Sequence, residues 1–99
     1  MTTESNQIES GLPSLLLTDD DELFSRILSQ ALGKRGFSVN VAHNVDEAVL
    51  LSTDNAPEFA VVDLNMPGKS GLELVKHLME LDNNTRIVVL TGYASITTA

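Results

Sequence analysis

With 99 residues, no cysteine, and fourteen acids against six bases for a net charge of -8, the chain holds one domain and not two. The missing thiols exclude a disulfide framework, a thiolate metal site and a cysteine nucleophile, and the acidic excess repels phosphate backbones, so direct nucleic-acid contact by this segment is not expected. A hydrophobic share of 42% with 4% aromatic residues and no tryptophan predicts a folded globule with an aliphatic core, while the lack of a signal-peptide pattern or a membrane-length apolar run predicts a soluble, cytoplasmic protein.

Residues 1–13 are polar and without period, which predicts a loose leader before a domain over 14–99. Leu15-Leu16-Leu17 opens the first buried strand, and four acids follow it, Asp19, Asp20, Asp21 and Glu22. Leu23, Ile27 and Ala31, with Phe24, Leu28 and Leu32, repeat at helical spacing and predict a helix to about Arg35, stopped by Gly36. Its leading acids and trailing Lys34 and Arg35 suit the helix dipole.

Phe37 to Ala42 alternates apolar and polar and predicts a second strand with one wetter face. Asn44 and Glu47 have capping-box spacing, so a short helix is expected from Val45 to about Thr53. Phe59 to Val62 reads as a strand buried on both faces. It ends on Asp63, and Asn65 and Pro67-Gly68 then turn the chain away. Ser70 and Glu73 repeat the capping spacing before a helix with an apolar stripe of Leu72, Val75 and Leu78 or Met79, ending near Asp82-Asn83-Asn84. Ile87 to Leu90 predicts a fourth buried strand stopped at Thr91-Gly92, and Ala94 to Ala99 has the composition to begin another helix.

The order βαβαβαβ demands right-handed crossovers and a parallel sheet of the doubly wound α/β class. Parallel strands point one way, so the ends of the first, third and fourth deliver Asp19 and Asp20, Asp63, and Thr91 to one edge, where such sheets keep their ligand crevice. Carboxylates gathered there call for a divalent cation with oxygen ligands. Mg2+ fits best, because it keeps waters and takes one or two carboxylates with a phosphate. A carboxylate beside such an ion can also attack phosphorus to give an acyl phosphate, with a hydroxyl such as that of Thr91 neutralising charge on the transferring oxygens.

Three stretches carry a resemblance: Leu15 to Glu22, Val61 to Glu73, and Val88 to Ala94. In this order they resemble the receiver domain of two-component response regulators. The resemblance implies a flavodoxin-like sheet of strand order 2-1-3-4, Asp63 as phosphoryl acceptor from a sensor histidine kinase, and Asp20 as a direct magnesium ligand. It further implies Asp19 as a ligand through water, the Asn65 main-chain carbonyl as another ligand, Thr91 as the switch hydroxyl, and Gly92 as the small residue beside it. Thr91 to Ile96 is similar to the redox-responding regulators, whose receiver precedes a helix-turn-helix DNA-binding domain. Receivers of this family continue with a helix, a fifth strand ending in a lysine, and a last helix. This chain stops before them, and Lys69 lies on a different loop. Self-association through the exposed fourth strand or the missing segment is therefore expected.

Other readings stand beside this one. A phosphohydrolase of the haloacid-dehalogenase kind would carry a second aspartate two residues after the nucleophile, where this chain has Asn65. A pseudo-receiver would keep the acids as a pure interaction module without phosphoryl transfer. His43 and His77 read as surface residues, Lys69 as a solvated loop charge, and Met66 and Met79 as packing residues.

Overall fold

The computed structural model describes residues 11–91. Four strands and three helices alternate along them: β1 (Ser14–Thr18), α1 (Glu22–Lys34), β2 (Ser38–Ala42), α2 (Val45–Thr53), β3 (Phe59–Asp63), α3 (Gly71–Leu81) and β4 (Arg86–Leu90). All strand pairs are parallel and the sheet order is β2-β1-β3-β4. The alternation and the order agree with the sequence expectation. The first ten residues of the expected leader, Gly92, and the helix expected from Ala94 lie outside the described residues.

Because the chain moves from β1 outward to β2 and then back past β1 to β3, right-handed crossovers put α1 on one face and α2 and α3 on the other. On the second face Leu16, Ala42, Ala60 and Val62 of the sheet meet Val45 and Ala48 of α2 and Leu74 and Leu78 of α3, with Met66 closing the cluster. Leu74, Leu78 and Val62 have no exposed surface. Burying each such side chain stabilises the fold by about 1.5–3 kcal/mol, so this layer is the principal source of stability.

The first face is less complete. α1 lies over β1 and β2, and it turns Ser25 to the sheet with Leu28 and Leu32 half-buried beside it. Leu23 and Ile27 stay 59% and 58% exposed. Helical spacing therefore located α1 correctly but overstated its core face. The helix ends as expected: the Arg35 N–H returns to the Leu32 carbonyl, and Gly36 takes a φ of +100°, which favours glycine.

Two further expectations are corrected. The buried stripe of α3 is Gly71, Leu74 and Leu78, whereas Leu72 and Met79 face solvent. The helix is rotated because its first residue abuts β3, as described below. β4 forms where expected but is not buried, with Val88 58% and Val89 43% exposed. It is the last strand of the described sheet, and α1 covers β1 and β2 rather than this edge.

Candidate functional site at the carboxyl edge of the sheet

β1 and β3 are neighbours in register, with Thr18 beside Val62. The next residue of each strand is an aspartate, so the two chains leave the sheet side by side, each through a carboxylate. Asp19, Asp20 and Asp63 consequently come together, each offering an oxygen within 4.8 Å of the others. Asp19 and Asp63 are 6% and 8% exposed, and Asp20 faces solvent. This is the convergence expected from strand order.

The local chain fixes two of the three acids. Asp19 Oδ1 accepts the Asp21 N–H at 2.9 Å, and Asp63 Oδ1 accepts the Asn65 N–H at 2.9 Å. Both are turns in which an aspartate bonds the main chain two residues on. The Ser25 hydroxyl donates to the Asp19 carbonyl at 3.2 Å from inside α1, so helix and strand end are joined beneath the site. The run of acids divides its labour: Asp21 is the N-cap of α1, accepting the Phe24 N–H at 3.0 Å, while Asp19 and Asp20 face the cluster.

Burial pushes the Asp19 carboxyl above the usual carboxylate range, and the charges of Asp63, Asp20 and Asp21 push it the same way; the Asp21 N–H opposes them. Like charges in a half-closed site disfavour ionisation, and a cation among them reverses that preference. The donor set is all oxygen, which suits a hard divalent ion.

Thr91 stands at the same rim. The Leu64 N–H donates to the Leu90 carbonyl at 3.0 Å, and the Asn65 side-chain amide donates to the next carbonyl, that of Thr91, at 3.0 Å. Asn65 thus touches Asp63 through its main chain and Thr91 through its side chain.

Three features of the site escaped the sequence reading. Gly71 opens α3 against β3, where a Cβ would collide with the Asp63 main-chain carbonyl; the only trace is a glycine directly after a serine cap. Ser25, buried on α1 and bonded to the Asp19 carbonyl, carries no motif that would single it out in the sequence. Lys69 is a solvent-exposed loop charge, as expected, but its ammonium also pairs at 2.8 Å with the exposed Asp46 carboxylate at the start of α2, which raises the lysine's pKa. Both capping boxes form only in part. Asn44 caps Glu47 at 2.8 Å, but Glu47 reaches back to the His43 N–H, and the Ser70 hydroxyl takes the Leu72 N–H rather than that of Glu73.

Comparison with known proteins follows the same outline. The sequence model of the response regulator receiver domain matches residues 15–99. The photosynthetic apparatus regulatory protein RegA of Rhodovulum sulfidophilum is 45% identical over 87 residues, which are 88% of this chain and 48% of that protein. The acid tolerance regulatory protein ActR of Rhizobium meliloti is 41% identical over 87% of this chain and 44% of its own length. The crystal structure of a response regulator from Burkholderia pseudomallei, with a phosphorylated aspartic acid, a calcium ion and citrate, superposes with a TM-score of 0.78 at 46% identity, over 88% of this chain and 51% of that one. The chain spans about half the length of the curated relatives it matches.

Proposed function

The chain belongs to the response regulator receiver domain family, and from that premise we propose that Asp63 accepts a phosphoryl group from a sensor histidine kinase. The observation that carries the reading is the meeting of Asp19, Asp20 and Asp63 at the end of β3. With Oδ1 held by the Asn65 N–H, the second oxygen of Asp63 is the one left to attack. Its bond to phosphorus forms as the bond from phosphorus to the donor's imidazole nitrogen breaks, and the donor ring, which carries a proton on its other nitrogen beforehand, leaves as the neutral imidazole.

The donor set fits Mg2+, which Asp20 and Asp63 would hold directly, Asp19 through water, and Asn65 through its main-chain carbonyl. Bound there, the ion would supply charge neutralisation for the transferring oxygens. The Thr91 hydroxyl would turn toward the phosphoryl group, and that movement is the signal. A relative's aspartate carries phosphate beside a calcium ion, which supports the reading.

Asn65 occupies the place where a hydrolase needs a second acid, so slow loss of phosphate and not turnover is the expected fate of the acyl phosphate. A cytoplasmic location goes with the reading, because the donor kinase is charged from ATP there. We extend the proposal to the protein's output, a DNA-binding helix-turn-helix domain in a redox-responding regulator. We also extend it to domain bounds of 14–99, and to self-association through β4, the last strand of the described sheet.

Beryllofluoride with Mg2+ tests the central claim. Saturable binding by the native chain and none by Asp63→Asn is expected. Equal responses from the two, or none from either, overturn it, and rapid release of phosphate from acetyl phosphate over many turnovers would favour a hydrolase.

A further inference from the structure

We infer that Ser25 is a positioning residue: through the main chain of Asp19 it sets where Asp20 meets a cation, and it thereby decides how far the site prefers Mg2+ to Ca2+. Resting on the cation-site reading of Asp19, Asp20 and Asp63 given above, the role falls to a residue outside that cluster.

Helix geometry explains how a residue inside α1 reaches the site. The Ser25 N–H closes the first turn on the Asp21 carbonyl at 2.9 Å, and the side chains of a helix lean toward its N-terminus. The Ser25 hydroxyl therefore points past the cap. From a residue only 1% exposed, it donates to the Asp19 carbonyl at 3.2 Å.

Asp19 is held from both sides. Its N–H donates to the Ala42 carbonyl of β2 at 3.1 Å, and its carbonyl accepts from Ser25. That carbonyl belongs to the peptide unit joining Asp19 to Asp20, and the unit is planar, so fixing its oxygen also fixes the nitrogen and Cα of Asp20. Asp20 depends on this more than its neighbours do. Asp19 and Asp63 each rest a carboxylate oxygen on a main-chain N–H two residues on, whereas Asp20 has no such turn among the described residues and faces solvent. Its carboxylate is placed by its main chain, and hence by Ser25.

Ions differ in how much misplacement they tolerate. Mg2+ demands a near-octahedral shell with short bonds, whereas Ca2+ accepts longer bonds and irregular geometry. A loosened Asp20 penalises Mg2+ first. A change that merely weakened the fold would have no reason to separate the two ions.

Titration calorimetry of the chain with Mg2+ alone and with Ca2+ alone is the test, on the native protein, Ser25→Ala, Ser25→Thr and Asp21→Ala. Alanine favours helix, so Ser25→Ala should keep its circular dichroism. Ser25→Thr retains the hydroxyl, and a hollow of about 240 Å3 lined by Glu22, Ser25, Arg26, Val41 and His43 offers room for its methyl group. Asp21→Ala removes the cap of the same helix without touching the Asp19 carbonyl. Ser25→Ala is expected to weaken Mg2+ about tenfold, the low end of what losing a group that orients a metal ligand costs, and to weaken Ca2+ less. Ser25→Thr should restore the preference, and Asp21→Ala should leave the ratio of the two affinities as it is. In the metal-free chain the Asp20 amide nitrogen resonance should move in Ser25→Ala, because the hydrogen bond on the preceding carbonyl is gone, and return in Ser25→Thr. Equal losses for both ions, no loss in Ser25→Ala, a folded Ser25→Thr that behaves as Ser25→Ala, or the same change of ratio in Asp21→Ala overturns the role of Ser25 and leaves the cation site standing. A native chain that binds neither ion overturns the cation site itself, and the role of Ser25 with it.

Discussion

Asn65 donates its side-chain amide to the main-chain carbonyl of Thr91, 3.0 Å away and 26 residues on in sequence. One residue therefore ties the loop after Asp63 to the end of β4, and a displacement on either side is felt on the other. Asn65→Ala should cost about 1 kcal/mol in urea unfolding, the usual worth of such a bond, and should broaden or shift the amide resonances around Thr91. Asn65→Asp should cost more, because an acceptor then faces the carbonyl and a fourth carboxylate joins the cluster; added Mg2+ should recover part of that loss.

Gly71 lies so close to β3 that a methyl group has no room beside the Asp63 carbonyl. Gly71→Ala should destabilise by about 1–3 kcal/mol, as overpacking does. It should also weaken divalent-cation binding measured by calorimetry, since relief requires the end of β3 to move.

Asp20 and Asp21 are adjacent and should behave oppositely. Asp21 caps α1, so Asp21→Ala should cost about 1 kcal/mol of stability and leave cation affinity nearly intact. Asp20 faces solvent within the cluster, so Asp20→Asn should abolish cation binding with little loss of stability in the metal-free chain.

The acidic cluster should make the metal-free chain less stable as pH rises. Burial, with the neighbouring charges, raises the Asp19 pKa in the folded chain, so folded Asp19 keeps its proton to a higher pH than unfolded Asp19. Unfolding then releases a proton, and stability falls as pH climbs from the unfolded carboxylate range through the folded pKa. Asp19→Asn retains an oxygen for the Asp21 N–H and removes the charge. It should raise the melting temperature at pH 7, where each kcal/mol is worth roughly 4–8 °C in a domain of this size, and should flatten the pH profile. A higher midpoint for the native chain at pH 7 than at pH 5 without metal would contradict this.

Thr18 has no exposed surface, and its hydroxyl finds no hydrogen-bond partner among the described residues. A buried unpaired hydroxyl costs about 1–3 kcal/mol by protein mutational measures. Thr18→Val keeps the shape and should raise the denaturation midpoint, whereas Thr18→Ala should lower it by leaving a void.

Much of this architecture was legible because strands and acids sit at fixed places in the chain. Apolar runs located β1 and β3, alternation located β2, and parallel order alone brought Asp19, Asp20 and Asp63 to one edge. What remained hidden depended on distance between elements. The rotation of α3 follows from Gly71 meeting Asp63, the role of Ser25 from its bond to Asp19, and the tether of Thr91 from a side chain whose residue type suits many turns. The exposure of Leu23, Ile27 and Val88 was likewise invisible, because periodicity reports which side of an element is apolar and not what stands opposite it.

The two aspartate turns leave the site with few uncommitted oxygens. Asp19 and Asp63 each share one carboxylate oxygen with a backbone N–H nearby, which favours meeting an ion through one oxygen each. A cation held by single points of attachment keeps much of its own hydration shell and exchanges readily with solvent. Occupancy would then rise and fall with the free ion concentration around the protein, making the ion a companion that comes and goes rather than a permanent part of the fold.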